Sequence, residues 1–401
     1  MTVAEMYVSD PRYPRCSDAE YARRHRLIRE AMRERGLDCL IIYGGYRNMY
    51  QQNFFWTSGY SDSFQGYIVF PLEGEPSLCN AVYPHLLPAK RQSVFPKTEW
   101  GGPRMAETVA NRLKELGLAQ GKIGYVGIDT PRTVTIPHSH YETLTELLPQ
   151  ATFVDATPWF MKIRFQKSPE EIEFIQRGAA ITDGVMRDLV EAIHPGVWDY
   201  ELFAVVYASA LRQGGDSNFA LLASTSMDNP DMPYPYPVPS RRQIQKGDLV
   251  LNELCANYRG YSGQLIRPIA VGQPTAALSK LYDIAVELFY AVFGAIKPGN
   301  TTNDVIDAVR PIVARGDFNI QAPLVHGWDN LPQPPLIGLP GGEREYPLDP
   351  HVFEEGQLIM IEPNPTSQDL STGIFYGNLC VVTKDGCRNL HKFPDEFVVV
   401  Q

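Results

Sequence analysis

Polar and apolar residues repeat at helical spacing from residue 17 onward, and this pattern predicts the first helix of the chain. Ser17 and Glu20 form a capping box, in which the two side chains satisfy free N–H groups at the helix start. Gly36 is a suitable end, because glycine adopts the left-handed conformation that often follows a helix. The apolar positions between them share one helical face: Tyr21, Leu27, Ile28, Ala31 and Met32.

Short apolar runs typical of strands follow, at 39–43, 67–70, 78–82 and 122–128, with one further helical pattern over 105–116. Because strands and helices alternate here as in βα units, this part of the chain is predicted to form a small α/β domain. Segment 48–67, between the first two strands, is dense in aromatic, amide and glycine residues. That composition is typical of a packed loop, and it also allows a role in lining a ligand site.

A second capping box marks the start of another domain. Ser168 and Glu171 flank Pro169, which suits the first position of a helix. A long amphipathic helix is predicted to follow through Ile172, Ile175, Ala179, Met186 and Leu189. We therefore predict two domains, 1–162 and 163–401.

The second domain contains an internal repeat. A turn of apolar, basic, proline and glycine residues precedes a helix start twice, and each copy is followed by a strand of the same design that ends in a glutamate. The turns lie at 192–202 and 295–305, and the strands at 247–253 and 356–362. The repeat predicts an α+β domain with approximate two-fold symmetry, whose equivalent strands bring Glu253 and Glu362 toward one central cleft.

Residues 247–272 have the pattern of an antiparallel hairpin that turns at Tyr258, Arg259 and Gly260. If the turn is centred between Tyr258 and Arg259, Glu253 and Gln264 lie directly opposite one another on one face.

In the second copy, the position that faces Glu362 is near Gly377 or Asn378. His326 lies between the copies, in a polar, glycine-rich segment at 323–330. A histidine, two glutamates and an amide are therefore expected to converge.

Composition narrows the range of partners and compartments. The 401 residues include 36 basic and 46 acidic side chains, a formal net charge of −10, which argues against binding to nucleic acid or to anionic membranes. The six cysteines form no CxxC pair, so neither a disulfide framework nor a cysteine zinc site is indicated. The sequence shows no signal-peptide pattern and no apolar run long enough to span a membrane. We therefore expect a cytoplasmic protein that acts on a small molecule.

A glutamate at a strand end is often merely solvated or salt-bridged, and a single histidine is often structural. Here both glutamates follow strongly apolar runs and occupy equivalent places in a repeat, so solvation explains them poorly. The remaining histidines lack such a constellation and are interpreted as surface or structural residues.

These segments resemble the superfamily of creatinase, aminopeptidase P, prolidase and methionine aminopeptidase, which has the pita-bread fold. The resemblance covers almost the whole chain and implies a creatinase-type N-terminal domain of α/β class. In relatives that domain usually supports a homodimer and closes over the active site, so a homodimer is expected. The segments that carry the resemblance are RFQKSPEEIEFIQRGAAITD, GDLVLNELCANYRGYSGQLIRPIAVG, VHG and EEGQLIMIEPNP.

Metallopeptidases of this fold hold two divalent ions with two Asp, one His and two Glu. The resemblance places these positions, in that order, at Glu253, Gln264, His326, Glu362 and Gly377, the last beside Asn378. An amide and a glycine replace two carboxylates, so a pair of ions is not expected. A single divalent ion at Glu253, His326 and Glu362 remains chemically feasible.

Creatinase is the metal-free branch of this fold and uses a histidine as proton shuttle at the position of Tyr236 here. Its substrate-anchoring glutamate corresponds to Ile266, which precedes Arg267, so creatine itself is not the expected substrate. The resemblance implies substrate contacts at Tyr236, Gln264, Arg267 and Asn378.

We therefore predict a metal-independent, creatinase-like hydrolase of a C–N bond in a small amide, amidine or cyclic amide. Catalysis is assigned to His326, Glu362 and Glu253, and Gln264 and Asn378 are predicted to donate hydrogen bonds to a developing oxyanion. Two alternatives stay open. One is an Xaa-Pro-type metallopeptidase or a lyase with an atypical metal site, and the other is a non-catalytic binding module on the same fold.

Overall fold

A computed structural model describes residues 12–44, 52–62, 64–127, 136–320, 323–329, 332–338 and 350–401. The chain separates into two units between Arg164 and Phe165, close to the predicted boundary at 162–163. Positions 48–51 and 63 of the aromatic segment lie outside the described residues. In the part of the chain that the structure describes, no helix combines the length and apolar character needed to cross a membrane.

The first helix, α1 (Asp18–Arg35), begins and ends where the sequence predicts. The Glu20 backbone N–H donates to Ser17 Oγ at 3.2 Å, and Gly36 ends the helix with φ 61°. The Glu20 side chain binds Arg23 and Arg24, which satisfies its carboxylate with guanidinium donors.

The remaining helices of the first unit are α2 (Gln52–Ser58), α3 (Leu86–Gln92), α4 (Met105–Glu115), α5 (His138–Leu147) and α6 (Thr157–Phe165), the last of which ends at the unit boundary. The strands are β1 (Cys39–Gly44), β2 (Gly66–Pro71), β3 (Ser77–Asn80), β4 (Lys97–Trp100), β5 (Lys122–Val126) and β6 (Thr152–Asp155).

The sheet of the first unit has the order β4-β3-β2-β1-β5-β6. β2 is antiparallel to both β1 and β3, whereas the pairs β1–β5, β3–β4 and β5–β6 are parallel. The α/β class is correct, but simple βα alternation is wrong for the first three strands. The loop between β2 and β3 is too short for the crossover that a parallel pair requires, and it therefore forms a hairpin.

The second unit starts with α7 (Pro169–Ala192), whose capping box is complete: Ser168 Oγ accepts from Glu171 N, and Ser168 N donates to the Glu171 carboxylate. The repeat is visible in the helices. A long helix, a Pro-Gly turn and a shorter helix occur twice, as α7 with α8 (Asp199–Arg212), and as α9 (Ala276–Ala295) with α10 (Thr302–Val313).

An eleven-stranded sheet carries both copies of the repeat. The strands of the second unit are β7 (Asp216–Ser226), β8 (Asp248–Tyr258), β9 (Tyr261–Ser262), β10 (Leu265–Ile266), β11 (Ile269–Val271), β12 (Asn319–Ile320), β13 (Val325–Trp328), β14 (Pro332–Ile337), β15 (Leu358–Ile361), β16 (Pro365–Thr366), β17 (Gly377–Thr383), β18 (Gly386–Asn389) and β19 (Val398–Val400). The main path of the large sheet is β14-β13-β15-β17-β10-β8-β11-β19, with β7 and β9 paired to β8 and β18 paired to β17. A separate two-stranded sheet joins β12 to β16.

The hairpin of the first copy turns one residue later than the sequence predicts. Tyr258 pairs with Tyr261, so Arg259 and Gly260 form a two-residue turn, with φ of 49° and 84°. Positive φ at both central residues is the geometry that matches the twist of paired strands. The resulting register pairs Leu254 with Leu265.

Candidate active site

One face of the large sheet carries a row of four positions, one from each of four adjacent strands. Ile266 pairs with Gly377, and Leu254 with Leu265, so the register continues to Glu253 opposite Ile266. Ile361 pairs with Asn378, so Glu362 follows opposite Gly377. Because paired residues share a face, the row is Glu253, Ile266, Gly377 and Glu362.

This face is concave. Phe219 on β7 is paired with Cys255 and therefore shares the face of Glu253. Its ring centroid lies 6.2 Å from that of Trp328 on β13, two residues after His326. In a flat sheet β7 and β13 would lie about 24 Å apart, five strand spacings of about 4.8 Å. The sheet therefore curls so that its two sides approach each other, and we call this surface the concave face.

His326 and Glu362 contact each other on the concave face, and both are buried. His326 Nε2 lies 3.3 Å from Glu362 Oε1, and His326 Nδ1 lies 3.0 Å from the Gly327 carbonyl oxygen. Since a carbonyl oxygen only accepts, Nδ1 carries a hydrogen, and a bond between Nε2 and the carboxyl group requires a second proton on one of those atoms. The pair thus places an imidazole nitrogen and a carboxylate oxygen side by side on the concave face.

Glu253 and Gln264 form a second pair. Gln264 Nε2 donates to Glu253 Oε1 at 2.7 Å, although the two residues are diagonal neighbours and not directly opposite as predicted. The Gln264 side chain is 0% exposed, and no described residue donates a hydrogen bond to its Oε1 atom. This bond uses one of the two hydrogens on Nε2, and the prediction that Gln264 donates to an oxyanion stays a prediction.

Gly377 leaves no room for a side chain. A Cβ atom there would lie 2.7 Å from the Ile361 carbonyl oxygen, 2.7 Å from Met360 Cε and 3.0 Å from Glu362 Cβ. Contacts this short would force the backbone or Glu362 to move. The position where the resemblance implies the last metal ligand is therefore a close approach between strands.

Arg267 and Asn378 lie together on the face of the sheet opposite to Glu362. This placement departs from the prediction that both residues contact the substrate. Arg267 is fully buried and donates from Nη2 to Asn378 Oδ1 at 2.9 Å and to Asp395 Oδ1 at 2.6 Å. Its guanidinium also lies 4.7 Å from the ring centroid of Tyr376, whose pKa is raised by burial. Arg267 thus anchors the C-terminal segment to the sheet.

Tyr236 lies beside β7, the strand that pairs with β8. Its side chain is 52% exposed, and its carbonyl oxygen accepts from the backbone of Leu222. No hydrogen bond among the described residues joins its side chain to His326, Glu362 or Glu253. Its role in substrate binding stays a prediction.

The donor atoms for a metal ion are few on this face. Within the described ranges, no three side chains of His, Cys, Asp or Glu lie close enough together to hold a metal ion. The structure thus gathers the five predicted ligand positions into two polar pairs and one glycine.

Sequence reasoning missed two groups of residues beside the site. Phe219 and Trp328 close one side of the concave face, and the spacing of Trp328, two residues after His326 in a strand, was an available signal for a shared face. Lys167 and Asp329 form a buried ion pair at 2.8 Å next to Trp328. Their separation of 162 residues in the sequence gave no comparable signal.

Comparisons with known proteins agree with this architecture. The sequence model of metallopeptidase family M24 matches residues 173–384, and that of the creatinase/prolidase N-terminal domain matches residues 24–166. The ectoine hydrolase of Halomonas elongata is 24% identical over 411 residues, covering 95% of this chain and 97% of that protein. The Xaa-Pro dipeptidase of Pyrococcus furiosus is 27% identical over 270 residues, covering 66% and 74%.

Among solved structures, the prolidase from Pyrococcus horikoshii OT3 has a TM-score of 0.76 at 24% identity, covering 94% of this chain and 100% of that one. This likeness confirms the fold that the resemblance implied.

Proposed function

The chain belongs to metallopeptidase family M24, a hydrolase family, and from this membership and the concave face we propose the reaction that it catalyses. The proposal is hydrolysis of a C–N bond in a small amide, amidine or cyclic amide, without a pair of divalent ions. The observation that supports it is that two of the five metal-ligand positions cannot supply a carboxylate: Gln264 is an amide bound to Glu253, and Gly377 has no room for a side chain.

The charge balance supports this proposal. Two divalent ions together carry a charge of about +4, which such sites neutralise largely with carboxylates. Of the five ligand positions, only Glu253 and Glu362 carry carboxylates here. The residues present do not fit a dinuclear centre.

Hydrolysis adds water across the C–N bond: the water oxygen bonds to carbon, the C–N bond breaks and the leaving nitrogen takes a proton. When no proton is shared between His326 Nε2 and the Glu362 carboxylate, this pair can accept the proton of the attacking water and return it to the leaving nitrogen. Glu253, fixed by Gln264, lies across the concave face and supplies a negative charge for the nitrogen-bearing side of the substrate.

The ectoine hydrolase relative favours this chemistry, since ectoine is a cyclic amidine and opening its ring breaks a C–N bond. Ectoine, simple cyclic amides and small amidines therefore form the first substrate panel.

Glu362→Gln tests the assignment of the proton-handling pair. We expect kcat on the substrate that turns over to fall about 10²-fold to 10⁴-fold with KM nearly unchanged, because the variant keeps the shape of the side chain but removes its base. Glu355→Gln, an exposed neighbour on the same segment, is the matched control. Unchanged turnover in the Glu362 variant would refute the assignment.

A second candidate is an Xaa-Pro dipeptidase, which the names of several relatives favour. The two candidates differ in metal content and substrate. Elemental analysis of the purified protein, with turnover measured before and after chelation, separates them. Two bound ions per chain and a chelator-sensitive activity on Xaa-Pro dipeptides would overturn the metal-independent proposal.

A further inference from the structure

The amide of Gln264 is oriented in only one way. Its Nε2 donates to Glu253 Oε1 at 2.7 Å, and the reverse orientation would place two acceptor oxygens against each other. The carbonyl oxygen of this side chain is therefore not engaged by Glu253 and is free for another partner. It is fully buried, and within the described residues nothing donates to it.

A buried acceptor without a donor is costly, and such atoms usually have a partner that is water or a ligand. Gln264 precedes Ile266 by two residues in an extended segment and so shares its face. Its carboxylate neighbour Glu253 lies on the same face. The Gln264 side chain with its unpartnered oxygen thus lies on the concave face, beside the Glu253 carboxylate.

We propose that Gln264 is a specificity-determining residue that accepts a hydrogen bond from an N–H group of the substrate. This proposal rests on the proposed function and deepens it. The site then takes substrates whose reacting group carries N–H donors and positive charge, the amidine and guanidine class, and rejects analogues in which those hydrogens are replaced by alkyl groups. An amidinium offers N–H groups on two nitrogens, which suits an amide oxygen beside a carboxylate.

The test is calorimetric titration of the full-length protein with two small cations. Acetamidinium carries N–H donors, and tetramethylammonium carries a similar charge without them. We expect the wild type to bind acetamidinium about tenfold more tightly than tetramethylammonium, the effect of one hydrogen bond to a charged donor. Equal binding of the two cations, or no binding of acetamidinium, would overturn the proposal without any variant.

Three variants locate the preference. Gln264→Met keeps the size of the side chain and removes the acceptor, so the tenfold preference is expected to disappear. Gln264→Glu keeps an acceptor oxygen, and a proton shared between the two neighbouring carboxyl groups replaces the lost amide donor, so the preference is expected to remain. Gln357→Met, at another buried glutamine of the same unit whose Oε1 accepts from Glu354 N, is the control for loss of a buried amide. A preference that survives in Gln264→Met, or that is lost equally in Gln357→Met, would contradict the proposal.

The binding and turnover experiments can refute the role of Gln264 and the proposed function independently of each other. A protein that shows the acetamidinium preference but hydrolyses none of the amides and amidines in the panel retains the inference about Gln264 and refutes the proposed function. Turnover of an N-alkylated analogue as fast as its parent compound refutes the role of Gln264 and leaves the hydrolase proposal intact.

Discussion

A single methyl group at position 377 tests the register on which the candidate site depends. Gly377→Ala would place a carbon 2.7 Å from the Ile361 carbonyl oxygen and 3.0 Å from Glu362 Cβ, closer than such atoms normally approach. Overpacking of this kind costs about 1–3 kcal/mol, and the Ile361 backbone can yield little because it is hydrogen-bonded in the sheet. We therefore expect the free energy of unfolding to fall by about 2 kcal/mol.

Gly294→Ala provides the matched control. Gly294 lies near the exposed end of α9, and a Cβ there would meet nothing within 4 Å. The same substitution should raise stability at this position by about 0.5 kcal/mol, because alanine loses less conformational freedom than glycine in a helix. Both sites belong to the second unit, so urea denaturation followed by circular dichroism reports both changes in one transition.

The activity of Gly377→Ala carries the second part of this prediction. The new methyl group would lie 3.0 Å from Glu362 Cβ, so relief of this contact is expected to disturb the approach of Glu362 to His326, and small displacements of catalytic groups lower turnover strongly. We expect kcat to fall about tenfold or more. If Gly377→Ala were as stable and as active as Gly294→Ala, position 377 would not face Glu362. The assignment of Glu253, Ile266, Gly377 and Glu362 to one row would then be wrong.

Two further predictions concern stability. Lys167→Met should lower the free energy of unfolding by about 3–5 kcal/mol, since it leaves the Asp329 carboxylate buried without this ammonium. The double variant Lys167→Met with Asp329→Leu should recover much of the loss in the same urea assay. Full stability of the single variant would contradict this prediction. Burial lowers the pKa of His25 from its usual 6.5, so below that pH the unfolded chain binds a proton more readily than the folded chain does. The free energy of unfolding should therefore decrease as the pH falls below about 6.5. The fall should be shallower in His25→Gln, and equal slopes in the two proteins would exclude this cause.

The outcome for the site residues shows which errors of register matter. The hairpin turn lies one residue later than predicted, which moves the partner of Glu253 by two positions, from Gln264 to Ile266. Because side chains alternate with a period of two, Gln264 stays on the same face and still reaches Glu253.

A shift of one position has the opposite effect. The sequence left the partner of Glu362 open between Gly377 and Asn378, and the choice decides the face of the sheet. The structure selects Gly377, so Asn378 points to Arg267 on the other side. A loop of uncertain length precedes this strand, and no local pattern in the sequence could fix the choice.

Helix starts were predictable for a different reason. The interactions at Ser17 and Ser168 form between residues three apart, so the sequence contains the whole motif. The contact between Phe219 and Trp328 depends instead on the curvature of the entire sheet, which no short segment encodes. Fold class and helix positions were therefore accessible from sequence, whereas the closure of the site was not.

The pairing of β10 with β17 joins the two copies of the repeat, with Ile266 and Gly377 where they meet. Neither residue has a polar side chain. A ligand that lies over this pair of strands therefore has the Gln264 amide and the Glu253 carboxylate on one side, and the His326 imidazole and the Glu362 carboxylate on the other. An amidinium has two interchangeable nitrogens, but these surroundings are unequal. The duplicated scaffold would thus distinguish two ends of a molecule that are chemically alike, and only one nitrogen would depart.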